Sequence, residues 1–184
     1  MSVYAKSLLE KAALIRLVIF DVDGVLTDGS LYVGNDGEEL KAFYVRDGLG
    51  MKLLQATGVV IGIITAKTSR IVARRMAELG VRYVFQGQHD KLIAFNALCD
   101  ELQLEPEQVA YVGDDVIDVP VMLEVGLAIA VGDADALVVE RAHWQTESVG
   151  GRGAVREVCE LIMQAQGSLG EQLSRFGIKE LEKC

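Results

Sequence analysis

Two pairs of carboxylates follow apolar runs of the sequence and could share one site. Asp21 and Asp23 come directly after the run Leu17–Phe20, and side chains two residues apart on an extended segment point to the same side. Asp114 and Asp115 stand in a similar position after a later apolar run. Because open α/β sheets bind ligands at the carboxyl ends of their parallel strands, both pairs are expected in one crevice.

Such a crevice requires a counter-charge, because carboxylates that crowd together are driven toward protonation unless a cation neutralises them. Carboxylate oxygens suit Mg²⁺, which takes one or two carboxylates and leaves positions for water and phosphate oxygens. We therefore interpret the crevice as a Mg²⁺ site that accepts a phosphoryl group. Asp21 can then act as the nucleophile, and Asp23 can protonate the leaving oxygen and later deprotonate the attacking water.

Two further residues fit the binding of a phosphoryl group. Thr65 stands at the end of the second expected strand, directly after its last apolar residue, and Lys91 opens the helix after the third. Their hydroxyl and ammonium groups can hold the oxygens over which charge spreads in the transition state. Taken singly, each signal has an ordinary structural explanation as a loop, a helix cap or a solvated lysine. Four elements that converge on one sheet edge favour a functional site.

The elements that must position these residues alternate between apolar runs and helical patterns. The expected strands are Leu17–Phe20, Val59–Ile64, Val81–Phe85, Val109–Val112 and Leu127–Val131. The expected helices are Gly48–Ala56, Ser69–Leu79, Lys91–Leu102, Asp118–Glu124 and Ala154–Gln166. Continuously apolar strands that alternate with helices are typical of a parallel sheet covered on both faces. The sequence therefore predicts an α/β fold of three layers, α/β/α, in one domain of residues 1–184.

Two segments depart from this alternation. Residues 31–45 are predicted to form a β-hairpin, because Gly34–Gly37 contains strong turn residues between two extended runs. The tail, residues 167–184, is polar and contains Gly and Ser, and it is expected to be mobile or used in assembly.

Composition excludes several classes of protein. The chain has 18 Lys and Arg against 27 Asp and Glu, a net charge of −9, which argues against nucleic-acid partners and anionic membranes. It has no apolar stretch long enough for a transmembrane helix, and Met1–Ile15 lacks the pattern of a signal peptide. Three cysteines without C-x-x-C spacing argue against a zinc site or a disulfide framework. A cytoplasmic location is expected.

The order of the motifs identifies a family resemblance. Asp21–Asp28, Thr65, Lys91 and Gly113–Asp118 resemble, in this order, the four motifs of the haloacid dehalogenase superfamily of phosphohydrolases. Within it, five further segments resemble phosphatases of 3-deoxy-sugar-acid phosphates. They are Asn35–Phe43, Val45–Gly48, Gln86–Gly87, Val112–Asp115 and Gly150–Glu157. The resemblance covers most of the chain, about Leu17–Gly167, and implies a Rossmann-like sheet of strand order 3-2-1-4-5 without a cap domain.

The resemblance implies a role for each acidic residue. Asp21 is the nucleophile and Asp23 the acid/base. Mg²⁺ is held by the Asp21 carboxylate, the Asp23 backbone carbonyl and Asp114. Asp115 and Asp118 orient these groups.

The resemblance also indicates which residues bind the anionic substrate. Thr65 and Lys91 bind the phosphate, and Arg46, Lys67 and Arg152 are candidate partners of a carboxylated sugar phosphate. Gly-Arg usually follows the threonine in the family, whereas this sequence has Ala-Lys, so Lys67 keeps the charge and loses the bidentate fork. Arg46 has a second interpretation, an ion pair with a nearby acid, and Arg152 has one as a salt bridge at the start of a helix.

Too few residues separate Asp23 from the second expected strand for a cap domain, so a neighbouring subunit is the expected cover of the crevice. The resemblance implies a homotetramer in which the hairpins build a central barrel and the C-terminal segment reaches an adjacent site. Arg152 would then meet the substrate from the next subunit. The other interpretation of the hairpin is a flap over its own site.

The resemblance implies Mg²⁺-dependent hydrolysis of 3-deoxy-D-manno-octulosonate 8-phosphate through an aspartyl-phosphate, in lipopolysaccharide precursor synthesis. One alternative is a phosphatase of a related nonulosonate, of the KDN 9-phosphate type. A phospho-aspartate receiver is less favoured, because receivers place an acidic pair first and the acceptor aspartate in mid-chain. A catalytically silent relative that only assembles is also less favoured, because all four motifs are present.

Overall fold

The most apolar runs of the sequence form the centre of a parallel sheet in a computed structural model that describes residues 4–178. The sheet contains β1 (Leu17–Phe20), β4 (Val60–Ile64), β5 (Tyr83–Phe85), β6 (Val109–Gly113), β7 (Leu127–Ala130) and β8 (Trp144–Gln145). A separate antiparallel hairpin contains β2 (Tyr32–Val33) and β3 (Glu39–Leu40). The helices are α1 (Lys6–Ala13), α2 (Val45–Gln55), α3 (Arg70–Leu79), α4 (Lys91–Leu102), α5 (Val119–Met122), α6 (Ala136–Val139), α7 (Ala154–Ala165) and α8 (Leu169–Ser174). Two 3₁₀ turns are Pro106–Gln108 and Val116–Asp118.

The sheet order is β5-β4-β1-β6-β7-β8, and every pair in it is parallel. This confirms the expected order 3-2-1-4-5 and adds β8 as a sixth strand. In the register of the central strands, Phe20 pairs with Ile63 on one side and with Val112 on the other. The three strands therefore end nearly level, and the residues that follow them lie side by side.

Side chains of β1 alternate between the two faces of the sheet. Val18 and Phe20 join a core with α1, α2, α3 and α7, whereas Leu17 and Ile19 join a second core with α4, α5 and α6. Since β1 is buried along its whole length, the three expected layers are confirmed.

The hairpin is shorter than the predicted range 31–45, and α2 begins earlier than predicted. The strands are only two residues long each, and Val45 already belongs to α2, which begins three residues before the predicted Gly48. The glycines of α2 weaken its helical pattern, but Gly50 faces α7, where an added Cβ would lie 2.8 Å from Arg156 Cδ. Close packing of two helices therefore stabilises a helix that local propensity disfavours.

Other differences are small or concern short elements. The predicted helix Asp118–Glu124 is a 3₁₀ turn followed by the four-residue α5. Helix α1 was not among the predicted helices. The short elements α6 and β8 were also missed, since neither is long enough to show a period. Helix α8 lies within the predicted tail. Residues 1–3 and 179–184, which include the third cysteine, lie outside the described residues.

The other two cysteines, Cys99 and Cys159, are free and buried. Within residues 4–178, every helix is too short or too polar to cross a lipid bilayer.

Asp47 fastens α2 to the start of α7. Its buried carboxylate accepts backbone N–H bonds from Arg156 at 2.8 Å and from Gly153 at 3.3 Å. Burial raises the pKa of Asp47, and the two N–H donors oppose that shift. The carboxylate thus acts as a cap for α7 that is supplied by another helix.

We expect Asp47→Ala to lower the free energy of unfolding by about 1–3 kcal/mol, because two buried N–H groups lose their acceptor. Asp47→Asn should lower it less, since the amide oxygen can still accept one bond. Urea denaturation measures both effects. The exposed Asp100→Ala serves as the control, with an expected change within about 0.5 kcal/mol. An equal effect of the Asp47 and Asp100 variants would contradict the capping role.

Candidate active site

A crevice at the carboxyl ends of the central strands collects most of the expected residues. It encloses about 260 Å³ and is lined by Asp21, Asp23, Gly29, Thr65, Ala66, Lys67, Asp114, Asp115 and Ile117. Two larger cavities, of about 360 and 440 Å³, lie beside α1 and beside α4. The crevice is the better candidate, because the group of acids in residues 4–178 that could hold a metal includes two of its lining residues.

Lys91 and Asp118 form a buried pair behind the crevice wall. Lys91 is only 3% exposed, and its Nζ lies 2.9 Å from Asp21 Oδ1 and 2.6 Å from Asp118 Oδ1. Burial lowers the pKa of Lys91, but the neighbouring carboxylates of Asp21 and Asp118 outweigh it, and the net shift is upward. Lys91 therefore stays an ammonium group and holds the Asp21 side chain.

The Asp118 carboxylate is fully occupied by its neighbours. Besides Lys91, the Tyr111 hydroxyl donates to its Oδ1 at 2.6 Å. Its Oδ2 accepts the backbone N–H groups of Asp114 at 3.0 Å and of Asp115 at 3.2 Å. Asp118 thus fixes the loop that carries Asp114.

The remaining carboxylates fit a hard divalent cation. Oxygens of Asp21, Asp114 and Asp118 lie within 4.8 Å of one another. Asp21 Oδ1 is buried and ion-paired to Lys91 without hydrogen-bond geometry, and Asp114 Oδ1 is buried without a hydrogen-bond partner among the described residues. Because the oxygens of Asp118 are already engaged, Asp21 and Asp114 are the carboxylates left for a metal.

Crowding of these acids shifts their protonation. Burial and then the charges of Asp118 and Asp21 raise the pKa of Asp114 to about 8. Burial and then Asp118 raise the pKa of Asp21 to about 6, although Lys91 opposes the shift. A divalent cation between the two would favour their charged forms and release protons on binding.

Asp23 is half-buried and has a partner that sequence reasoning missed. Lys41, the residue after β3, places its Nζ on Asp23 Oδ1. The only signal in the sequence was a lysine within the Asn35–Phe43 segment, which the prediction assigned to assembly as part of the hairpin. Tyr111 was missed as well, because it lies inside an apolar run.

The three basic residues that were expected to bind substrate lie at different positions relative to the crevice. Lys67 lines the crevice. Arg152 is 60% exposed, and its Nη2 lies 4.0 Å from Asp28 Oδ2 of its own chain. Arg46 is exposed in the first turn of α2 and is not one of the described residues that line the crevice. In the Val45–Gly48 segment, the fold buries Asp47 and Gly48 and leaves Arg46 exposed.

Glycines let the loops around the crevice approach one another. An added Cβ at Gly150 would lie 1.7 Å from Gly24 O, and the N–H of Gly151 donates to Val25 O at 2.8 Å. A Cβ at Gly24 would lie 2.0 Å from Asp114 Oδ2. The Gly150–Glu157 segment therefore supports the Asp-x-Asp loop from behind, and that loop has room for Asp114 only because residue 24 is glycine.

The Gln86–Gly87 segment fastens the loop after β4. Gln86 Oε1 accepts the N–H of Ser69 at 2.7 Å, and the N–H of Gln88 donates to Thr65 O at 3.0 Å. These bonds fix both ends of the loop that carries Thr65 and Lys67.

Asp115 lies at the exposed rim of the crevice. Its Oδ1 accepts the N–H of Val116 at 2.7 Å, which caps the 3₁₀ turn Val116–Asp118. That turn brings Asp118 back beneath the loop.

Comparison with known proteins places this site in a family. A family profile described as haloacid dehalogenase-like hydrolase matches residues 50–158, more than half of the chain. The chain belongs to the haloacid dehalogenase-like hydrolases. The expected family, and with it the expectation of a phosphoric monoester hydrolase, is confirmed.

Several haloacid dehalogenase-like hydrolases are closely similar to the chain. The 3-deoxy-D-manno-octulosonate 8-phosphate phosphatase of Escherichia coli K12 is 55% identical over 161 residues, 88% of this chain and 86% of that protein. A crystal structure of the phosphatase of that name from Yersinia pestis is 52% identical, with a TM-score of 0.89 over 90% of both chains. The Moraxella catarrhalis phosphatase, solved with a magnesium ion, a phosphate ion and KDO, is 40% identical, with a TM-score of 0.92 over 94% of this chain and 99% of that one.

We expect Mg²⁺ to raise the melting temperature, and to raise it more above pH 8 than below pH 6, because protons compete for Asp114 and Asp21. The fold raises the pKa values of both Asp21 and Asp114. Without metal, the two groups therefore stabilise the folded state at low pH. This contribution to the free energy of unfolding is lost as the pH rises through about 6 and about 8.

Thermal melts with Mg²⁺ or a chelator at the two pH values measure this difference. Asp114→Asn, which removes a ligand, should abolish most of the Mg²⁺ increment. An increment of the same size at both pH values would contradict the assignment.

Proposed function

We propose that this chain hydrolyses 3-deoxy-D-manno-octulosonate 8-phosphate to the free sugar acid and phosphate. The observation that carries the proposal is the convergence of Asp21, Asp23, Thr65 and Asp114 in one crevice, with Lys91 behind Asp21. The similarity to phosphatases of that substrate supports it, as does the magnesium, phosphate and KDO complex of one of them.

In the first half of the reaction, Asp21 attacks the phosphorus atom and the bond to the sugar oxygen breaks. Asp23, two residues further along the loop, gives its proton to the leaving sugar oxygen. The product is an aspartyl-phosphate on Asp21. Lys91 keeps the nucleophile in place, and the Thr65 hydroxyl donates to a phosphoryl oxygen.

In the second half, Asp23 takes a proton from a water molecule, whose oxygen attacks the phosphorus atom. The bond to Asp21 breaks, so that phosphate leaves with the carboxylate restored. A bound Mg²⁺, held by the Asp21 and Asp114 carboxylates and the Asp23 backbone carbonyl, would supply positive charge to the phosphoryl oxygens in both halves. Asp115 and Asp118 hold the loop that presents Asp114.

The substrate carries a phosphate and a carboxylate, whereas the chain has a net charge of −9. Cations at the crevice must therefore select the anion locally. Among the described residues that line the crevice, Lys67 is the cation. We propose that Lys67 meets the substrate directly and that Arg46 and Arg152 act from a neighbouring subunit or from the rim. The released sugar acid would serve lipopolysaccharide precursor synthesis.

We also propose a homotetramer of single-domain subunits. Four apolar residues of the hairpin segment, Leu31, Tyr32, Val33 and Leu40, are 48% to 69% exposed, and an apolar group of this kind is typical of an interface. In this proposal the hairpin serves assembly, and the segment after residue 167 reaches towards an adjacent site. We place the enzyme in the cytoplasm, where the free thiols of Cys99 and Cys159 stay reduced.

Phosphate release from a panel of esters tests the proposed substrate. We expect 3-deoxy-D-manno-octulosonate 8-phosphate to be hydrolysed with the highest kcat/KM, and a chelator to stop the reaction. Higher kcat/KM for KDN 9-phosphate would assign the chain to the nonulosonate alternative. Equal turnover of hexose phosphates would contradict both.

Asp21→Asn removes the nucleophile and keeps the shape of the side chain. We expect phosphate release to fall by about 10³-fold or more, because the variant cannot form the aspartyl-phosphate. Mass spectrometry after a rapid acid quench should show the phosphorylated peptide only in the wild type. Asp100→Asn, on the exposed face of α4, should keep full activity. Substantial turnover by the Asp21 variant would refute the mechanism.

A further inference from the structure

Lys41 is a buried charge on an otherwise exposed element. The side chain of Lys41 is only 5% exposed, whereas Glu39 and Leu40 directly before it are exposed. Its Nζ contacts Asp23 Oδ1, 18 residues away in the sequence. The chain between β3 and α2 thus directs the Lys41 side chain to the Asp-x-Asp loop.

This burial requires an explanation, because lysine is almost never buried unless its charge is paired. An ammonium that served only to anchor the hairpin could pair with any acid of this acidic chain. Lys41 instead pairs with the carboxylate that must transfer protons. Each carboxylate of the Asp-x-Asp motif therefore contacts a lysine. Lys91, which also pairs with Asp118, contacts Asp21, and Lys41 contacts Asp23.

The contact leaves one carboxylate oxygen available. Lys41 engages Oδ1 of Asp23, so Oδ2 is the oxygen that can carry the proton. Asp23 lines the crevice, whereas Lys41 is not one of the described residues that do so. The geometry therefore points to an action through Asp23 rather than on the substrate.

We propose that Lys41 is a positioning residue that fixes the orientation of the Asp23 carboxylate for both proton transfers. The proposal rests on the phosphatase function proposed above. It assigns a catalytic task to the base of the hairpin, in addition to assembly through the exposed hairpin residues.

A double-mutant cycle with Lys41→Met and Asp23→Asn tests the proposal. We expect Lys41→Met to lower kcat by about ten- to a hundredfold, the range for a misplaced acid/base, with KM changed by less than about threefold. In the Asp23→Asn background the same change should lower kcat by less than about twofold, because the group that Lys41 orients is then absent. Lys41→Arg, which keeps a donor, should recover part of the loss.

Controls separate this effect from loss of structure. Lys52→Met changes an exposed lysine of α2 and should leave kcat unchanged. Melting temperatures with and without Mg²⁺ should stay close to the wild type for each variant used. Lys41→Gln, which is shorter and polar, replaces the methionine variant if the latter does not fold.

Three outcomes would overturn the proposal. An unchanged kcat in Lys41→Met would mean that the pair only anchors the hairpin. A large rise in KM that persists in the Asp23→Asn background would make Lys41 a substrate ligand. Effects that multiply in the double variant would make the two residues independent.

The cycle is run with both the sugar-acid phosphate and p-nitrophenyl phosphate. If only the second ester is hydrolysed, the proposed substrate fails while the cycle still decides the role of Lys41. If the wild type hydrolyses neither, the role of Lys41 fails together with the phosphatase function.

Discussion

Repulsion between buried carboxylates is the constraint around which this fold is arranged. Oxygens of Asp21, Asp114 and Asp118 lie within 4.8 Å of one another beneath a crevice that opens to solvent. An unpaired buried charge costs several kcal/mol, so such a cluster persists only with compensating groups. Lys91, Tyr111 and two backbone N–H groups satisfy Asp118, and the oxygens left on Asp21 and Asp114 are those that a divalent cation would use.

The backbone gives these acids their positions through strand register and glycine. Level ends of β1, β4 and β6 place Asp21, Thr65 and Asp114 side by side. A Cβ at Gly113 would lie 2.5 Å from Asp118 Cβ, so the turn beneath the loop closes only with glycine there. Glycine at such close contacts is therefore as important to the site as the acidic residues themselves, because a side chain there would keep the acids apart.

Sequence reasoning succeeded where the signal was local. Continuous apolar runs predicted the five main strands, the family resemblance implied their order, and the residue types at strand ends identified the crevice. It failed where a residue acts across the fold. In the Val45–Gly48 segment it named Arg46 as a candidate substrate partner and did not find that Asp47, buried where α2 packs on α7, caps that helix. Lys41 and Tyr111 likewise gain their meaning only from contacts that no local pattern records.

The two lysines of the site differ in the elements that hold them, and the difference suits the two roles proposed for the aspartates. Lys91 projects from α4 into the core and is tied to Asp118 and Tyr111 as well as to Asp21. A nucleophile that must meet phosphorus in line benefits from such rigid support. Lys41 comes from a two-stranded hairpin whose apolar residues are exposed. Asp23, as an acid/base that changes its protonation state twice in each turnover, must be oriented. The lysine that orients it does not have to be buried in the core, as Lys91 is. Lys41 lies on the hairpin that is proposed for assembly. The orientation of the Asp23 carboxylate would therefore depend on how rigidly contacts between subunits fix the hairpin.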